Sequence, residues 1–203
     1  MELPPYHAPR LKSVLQDVWN KSKAYARRAG TIILLSSIVI WFLTNFDFRL
    51  NLVEEDGANS IMGVIGSAIG FIFKPLGFGT WQSMVATISG FVAKENVVNT
   101  MGIVLGLGAD ITEESPELLA AFNAAIGTPI AGYSFLLFNM LCMPCFAAVG
   151  AIKTEMGDNK WTLLTVGYQM GFAYAISFIF YQLARLIAYG TFTLSTIIAF
   201  IVL

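Results

Sequence analysis

The two cysteines of the chain, Cys142 and Cys145, lie three positions apart in the run Leu141-Cys142-Met143-Pro144-Cys145. Two sulfurs suit a borderline metal such as Fe²⁺, Zn²⁺ or Cu⁺ and suit Mg²⁺ or Ca²⁺ poorly. Pro144 has no N–H to offer the carbonyl of Met140, so one main-chain acceptor is freed beside them. Counted as helix, Ser134, Asn139, Cys142 and Cys145 fall within one arc of about 140°, which adds an amide to the donor set. Packing is the competing account, with cysteine as a small hydrophobe. Lys94-Glu95 is the second candidate. Starting a helix at Trp81, an interface anchor, Lys94 lies roughly 20 Å along the axis, where a charge is costly and by default functional. Ser89, Glu95, Asn96, Asn99 and Thr100 then share an arc of about 140°, with Lys94 on another face beside Ser83 and Thr87. One face of that helix reads as the lining of a cation path, with Lys94 braced against a neighbouring element; a charge pair that only fixes packing is the alternative.

The elements that position these groups are set by composition. Of 203 residues, 56% are hydrophobic and 12% charged, against about 45–50% and about 25% in soluble domains. A soluble globular domain is excluded. Net charge is −1, which gives no sign of nucleic-acid binding. Uncharged runs cover 29–46, 57–73, 75–93, 118–152, 161–184 and 186–203, most of them near the roughly 20 residues that span a bilayer. The expected fold is an all-α polytopic transmembrane helix bundle with broken helices, preceded by an amphipathic interfacial helix.

Residues 1–28 form an extended, proline-bearing entry segment followed by that amphipathic helix, in which Leu11, Val14, Leu15, Val18 and Trp19 share a face. There is no apolar core of a secretory signal in them. First spans follow over 29–76, with Gly63, Gly66 and Gly70 spaced for close packing; Ile61 to Leu76 reads as a thin span or a re-entrant hairpin. Ser115-Pro116-Glu117 predicts the start of a short helix ending near Gly127. Gly167, Tyr174, Ser177, Tyr181 and Arg185 share a face, read as packing and anchoring. His7, the lone histidine, makes no metal site. Placing one crossing per apolar segment puts nine of the twelve Lys/Arg inside and two outside, with Lys94 in the membrane. This asymmetry predicts six crossings with the N-terminus cytoplasmic.

Four stretches go further: Met1-Glu-Leu-Pro-Pro-Tyr-His7, Ala29-Gly-Thr-Ile-Ile-Leu34, Gly90-Phe-Val-Ala-Lys-Glu-Asn-Val-Val98, and Phe138-Asn-Met-Leu-Cys-Met-Pro-Cys-Phe-Ala-Ala148 with Lys153-Thr-Glu-Met-Gly157. Together they resemble the C-terminal membrane region of the FeoB ferrous-iron transporters, a core linker plus the second Gate repeat, here 77–203. The resemblance implies a multi-pass protein of the bacterial or archaeal inner membrane that helps import Fe(II). By position it implies Gly90, Lys94 and Glu95 as the Gate motif and Cys142, Pro144 and Cys145 as the cysteine-proline motif. With the helical arcs counted above, the expected metal-facing residues are Cys142, Cys145, Glu95, Asn96 and Asn139, and the expected gate or pathway residues Gly90, Lys94, Asn99 and Pro144. Partners would be Fe(II), membrane lipids and the remainder of the transporter, namely the first Gate repeat and a cytoplasmic GTPase domain, with room for a homo-oligomer. No phosphate-binding loop occurs. The chain is therefore expected to be no enzyme and to hold no cofactor, GTP acting only through the separate domain. Two other functions compete: a membrane thiol oxidoreductase using Cys142/Cys145, and a Gate-fold nucleoside or assembly subunit.

Overall fold

A computed structural model describes residues 10–53, 57–107, 115–190 and Ala199. The His7 motif, the acidic residues 54–56, most of the second acidic loop and nearly all of 191–203 lie outside the described residues. Among the described residues eight α-helices follow one another: α1 (Leu11–Asn45), α2 (Ile61–Phe73), α3 (Trp81–Val92), α4 (Asn96–Val104), α5 (Pro116–Ile126), α6 (Pro129–Leu141), α7 (Phe146–Met156) and α8 (Asn159–Tyr189). Among the described residues the only β pairing is an isolated bridge between Phe46 and Leu52, so the all-α helix bundle stands.

Local chemistry sets the ends. Ser60, Thr80, Thr128 and Asp158 each accept a first-turn N–H at the start of α2, α3, α6 and α8, satisfying donors that have no partner inside the helix. Gly127, Gly157 and Gly190 close α5, α7 and α8 in the left-handed conformation, where a Cβ is penalised. The helix expected from Ser115-Pro116-Glu117 to Gly127 is α5. The amphipathic segment and the first span form one unbroken helix, α1, whose first two turns and beyond are exposed all round.

The core is built around a tip. Residues 73–78, between α2 and α3, insert Phe73, Leu76 and Phe78 among Phe135 and Phe138 of α6 and Ala173 of α8. The rings meet edge to face, Phe73 with Phe138 at 5.0 Å and Phe78 with Phe135 at 5.5 Å, a favoured aromatic geometry. Because α2 stops there, the carbonyls at its end and in the turn that follows need donors from elsewhere. Tyr174 Oη donates to Ile72 O at 2.8 Å and Gln182 Nε2 to Pro75 O at 2.9 Å. Gly77, at φ 92°, lies flat against the Tyr181 ring. The α8 face containing Tyr174, Ser177 and Tyr181 is thus the seat of the tip, as expected for packing. Gly167 has open space around it.

Glycines also set how α2 meets α3. A Cβ on Gly66 would stand 3.0 Å from Trp81 O, and one on Gly70 would stand 2.6 Å from Gly79 O. Main-chain oxygen cannot yield as a side chain does, so Gly70→Ala should lower the stability of the purified protein by about 1–3 kcal/mol. Gly167→Ala should leave it unchanged. Equal melting temperatures of the two variants in detergent would contradict this account of the α2–α3 contact.

Two helical runs are long and apolar enough to cross a membrane, Pro129–Met156 and Asn159–Tyr189, and a third counts if Ile61–Leu76 and Trp81–Val92, bent by 100°, make one span. Large apolar side chains on them face outward, among them Met140, Leu163 and Ile187, as lipid contact requires. Six full crossings are thus more than the described helices provide. Among the described residues α2, α3, α4 and α5 have 13, 12, 9 and 11 residues, each short of the roughly 20 needed, and the last expected span, 191–203, lies outside the described residues but for Ala199.

Candidate functional site

Two helix breaks form the site. The first separates α3 from α4: Ala93 is extended (φ −150°, ψ 128°) and Lys94 and Glu95 make a turn. The continuous helix assumed in counting from Trp81 to Thr100 is therefore corrected to two. Gly90 permits the fold-back, since a Cβ there would strike Val97 Cγ2. Residues seven apart in a straight helix are separated by about 10 Å, so this contact exists only because α4 turns back on α3.

The second break separates α6 from α7. Cys142 N–H still bonds to Phe138 O at 2.8 Å, but the backbone then extends through residues 142–145. Pro144 brings no N–H to continue the ladder. The carbonyls at the end of α6 are left facing out, at the negative end of the helix dipole.

Lys94 reaches from the first break into the second. Its Nζ donates to Asn139 O at 2.6 Å, lies 3.4 Å from both Met140 O and Cys142 O, and stands 3.7 Å from Cys142 Sγ. The Met140 carbonyl that Pro144 frees is thus met by an ammonium. The Cys142 thiol donates back to Asn139 O at 3.3 Å. Asn139 Nδ2 donates to Phe135 O at 2.9 Å and to Thr87 Oγ1 at 3.5 Å, tying α6 to α3. Asn139 therefore reaches this centre through its main chain, its amide being used for packing.

The expected metal-facing residues are only partly brought together. Cys142 and Asn139 meet at Lys94. Cys145 is half-buried at the start of α7, beyond the break, so the single arc joining it to Ser134, Asn139 and Cys142 does not hold. Glu95 and Asn99 are exposed. Asn96 faces elsewhere, lining a cavity of about 430 Å³ between α1, α3 and α4 together with Ser89 and Thr100. Three members of the arc predicted from one continuous helix do share a surface, although the break changes how they reach it. Ser89 is buried and its Oγ has no hydrogen-bond partner among the described residues.

The opposite wall of that cavity comes from α1, through Ser37, Thr44 and Asn45. Sequence reading passed over these residues. Their signal was present as polar positions recurring at helical spacing within an apolar span. Among the described residues no group of three or more His, Cys, Asp or Glu side chains is placed to hold a metal. What the breaks offer a cation is carbonyl oxygen and thiol sulfur.

Comparison with known proteins agrees with the motifs. The family described as "Gate: Nucleoside recognition" matches residues 26–159, and the one described as "Ferrous iron transport protein B C terminus" matches residues 1–21. Proteins named Fe(2+) transporter FeoB are similar over 92% of this chain: 37% identical in Staphylococcus aureus strain COL, 37% in Campylobacter jejuni and 34% in Methanocaldococcus jannaschii. The chain spans 27%, 31% and 28% of those relatives, respectively. No solved structure matches it. With two thirds of its length under the first of these descriptions, the chain belongs to the Gate family, and it is similar to a part of the FeoB proteins.

Proposed function

We propose that this chain forms part of the permeation path of a ferrous-iron transporter in the inner membrane of a bacterium or archaeon. The observation that carries the reading is the meeting of the two breaks, where main-chain carbonyls and a cysteine thiol converge on the Lys94 ammonium. Broken helices are how transporters bring backbone oxygens to an ion. Sulfur selects a borderline ion over Mg²⁺ or Ca²⁺. Neutral carbonyls and a thiol, without a carboxylate cage, favour a passing ion over a trapped one, because conduction needs sites weak enough to leave. Cys142 and Cys145 are the proposed iron-facing side chains, Glu95 draws the cation towards the break from its exposed turn, and Gly90, Lys94 and Pro144 shape the gate. Asn96 and Asn99 belong to the approach along α4.

The rest of the transporter supplies the opposing half of the path and the GTPase domain, so that GTP acts outside this chain and no catalytic role falls to it. The similar proteins carry the name of an iron transporter, which weighs against thiol oxidoreductase and nucleoside readings. In addition, Cys142 is 5% exposed and hydrogen-bonded, a poor position for thiol exchange with a partner.

The test is a chimera in which this sequence replaces the matching region of the Staphylococcus aureus relative, expressed in cells lacking their own ferrous-iron transporter. Growth on limiting Fe²⁺ is expected, and it should disappear when both cysteines are changed to serine. Growth that survives the double change would remove the cysteines from the path; a chimera that reaches the membrane and moves no iron would overturn the function.

A further inference from the structure

The end of α6 is shaped for a cation and is filled by one that belongs to the chain. Three carbonyls and one thiol converge on Lys94 Nζ within 2.6 to 3.7 Å. An ammonium carries three protons and no acceptor, so it occupies the position between these atoms that a coordinated metal would need. A divalent ion on the same atoms would stand in contact with a second positive charge, in a medium that screens poorly.

We propose that this cluster is a cation site with two mutually exclusive occupants, the Lys94 ammonium and a thiol-accepting divalent ion, and that Lys94 is a tethered plug which the ion must displace. The plug sits where it can move. Lys94 is half-buried on the turn between α3 and α4 and holds the cluster through a flexible four-carbon stem. The proposal rests on reading the α6–α7 break as the iron path, and it names what closes that path when no iron is there.

Binding separates this proposal from transport. Cd²⁺ is the probe, because the bond it forms when the Cys142 thiol gives up its proton to solvent absorbs in the ultraviolet, and the full chain in lipid nanodiscs with Cys145→Ser leaves Cys142 as the only thiol. Lys94→Met, which keeps length and removes charge, is expected to tighten Cd²⁺ binding by about tenfold or more, and Lys94→Arg should not. Adding Cys142→Ser should abolish the signal. A second measurement needs no change at Lys94: saturating Cd²⁺ should raise acetylation of Lys94 by acetic anhydride, read by mass spectrometry, as the amine is pushed out of the cluster.

Binding by Lys94→Met no tighter than by its parent, absence of binding in both, or a Lys94 reactivity that Cd²⁺ leaves unchanged would each overturn the plug. If Lys94→Met fails to fold, the acetylation result decides. If the plug is supported while iron uptake ignores the cysteines, the path reading fails and the cation site remains.

Discussion

In a transporter containing this sequence, Cys145→Ser and Glu95→Gln are each expected to reduce Fe²⁺ uptake at limiting iron by about tenfold or more, the scale of losing a metal ligand or the group that steadies it. Both changes nearly conserve volume, so packing survives while a sulfur donor or a charge is removed. Neither side chain carries the fold. Cys145 is half-buried, and Glu95 is exposed on a turn; protein level in the membrane should therefore stay near that of the parent. Cys142→Ser is expected to reduce uptake as well and to be harsher in stability, because its thiol is buried and bonded to Asn139 O. Uptake of ⁵⁵Fe normalised to membrane protein measures both. Wild-type rates from Cys145→Ser and Glu95→Gln together would make these residues bystanders and move the conduit elsewhere.

Pro144→Ala should abolish most of the uptake while leaving the protein as stable as before, or more so. Alanine restores an N–H four residues after Met140, and proline costs a helix interior about 3 kcal/mol that alanine does not. With the ladder restored, α6 can run on into α7, the carbonyl of Met140 is taken up within the helix, and the cluster around Lys94 loses an acceptor. The chain then gains a straight span and loses a coordination site. Melting temperature in detergent and Fe²⁺ uptake should move in opposite directions. A Pro144→Ala protein that transports normally would show that the extended segment 142–145 is held by its surroundings, independently of proline.

The membrane class was legible in the sequence, because uncharged runs near the length of a bilayer have few other uses. So were the limits of α5, where a proline and a glycine act on their own immediate backbone, and the loss of helix at Pro144, where the missing N–H belongs to the residue itself. The motifs around Lys94 and Cys142 were equally visible, and so was the polar stripe of α1 that was passed over. Each of these signals is local.

Tertiary structure decided the rest. Angular counting assumes one continuous helix, so it lost meaning at Ala93, where an extended residue separates Ser89 from Asn96, and again between Cys142 and Cys145. Hydropathy likewise reports an apolar run without reporting the 100° bend between Ile61–Leu76 and Trp81–Val92. Above all, the partner of Lys94 lies 45 residues away in the chain. Periodicity can put a lysine on a face of its helix, but only the packing of two interrupted helices brings its ammonium to carbonyls that have lost their own amides.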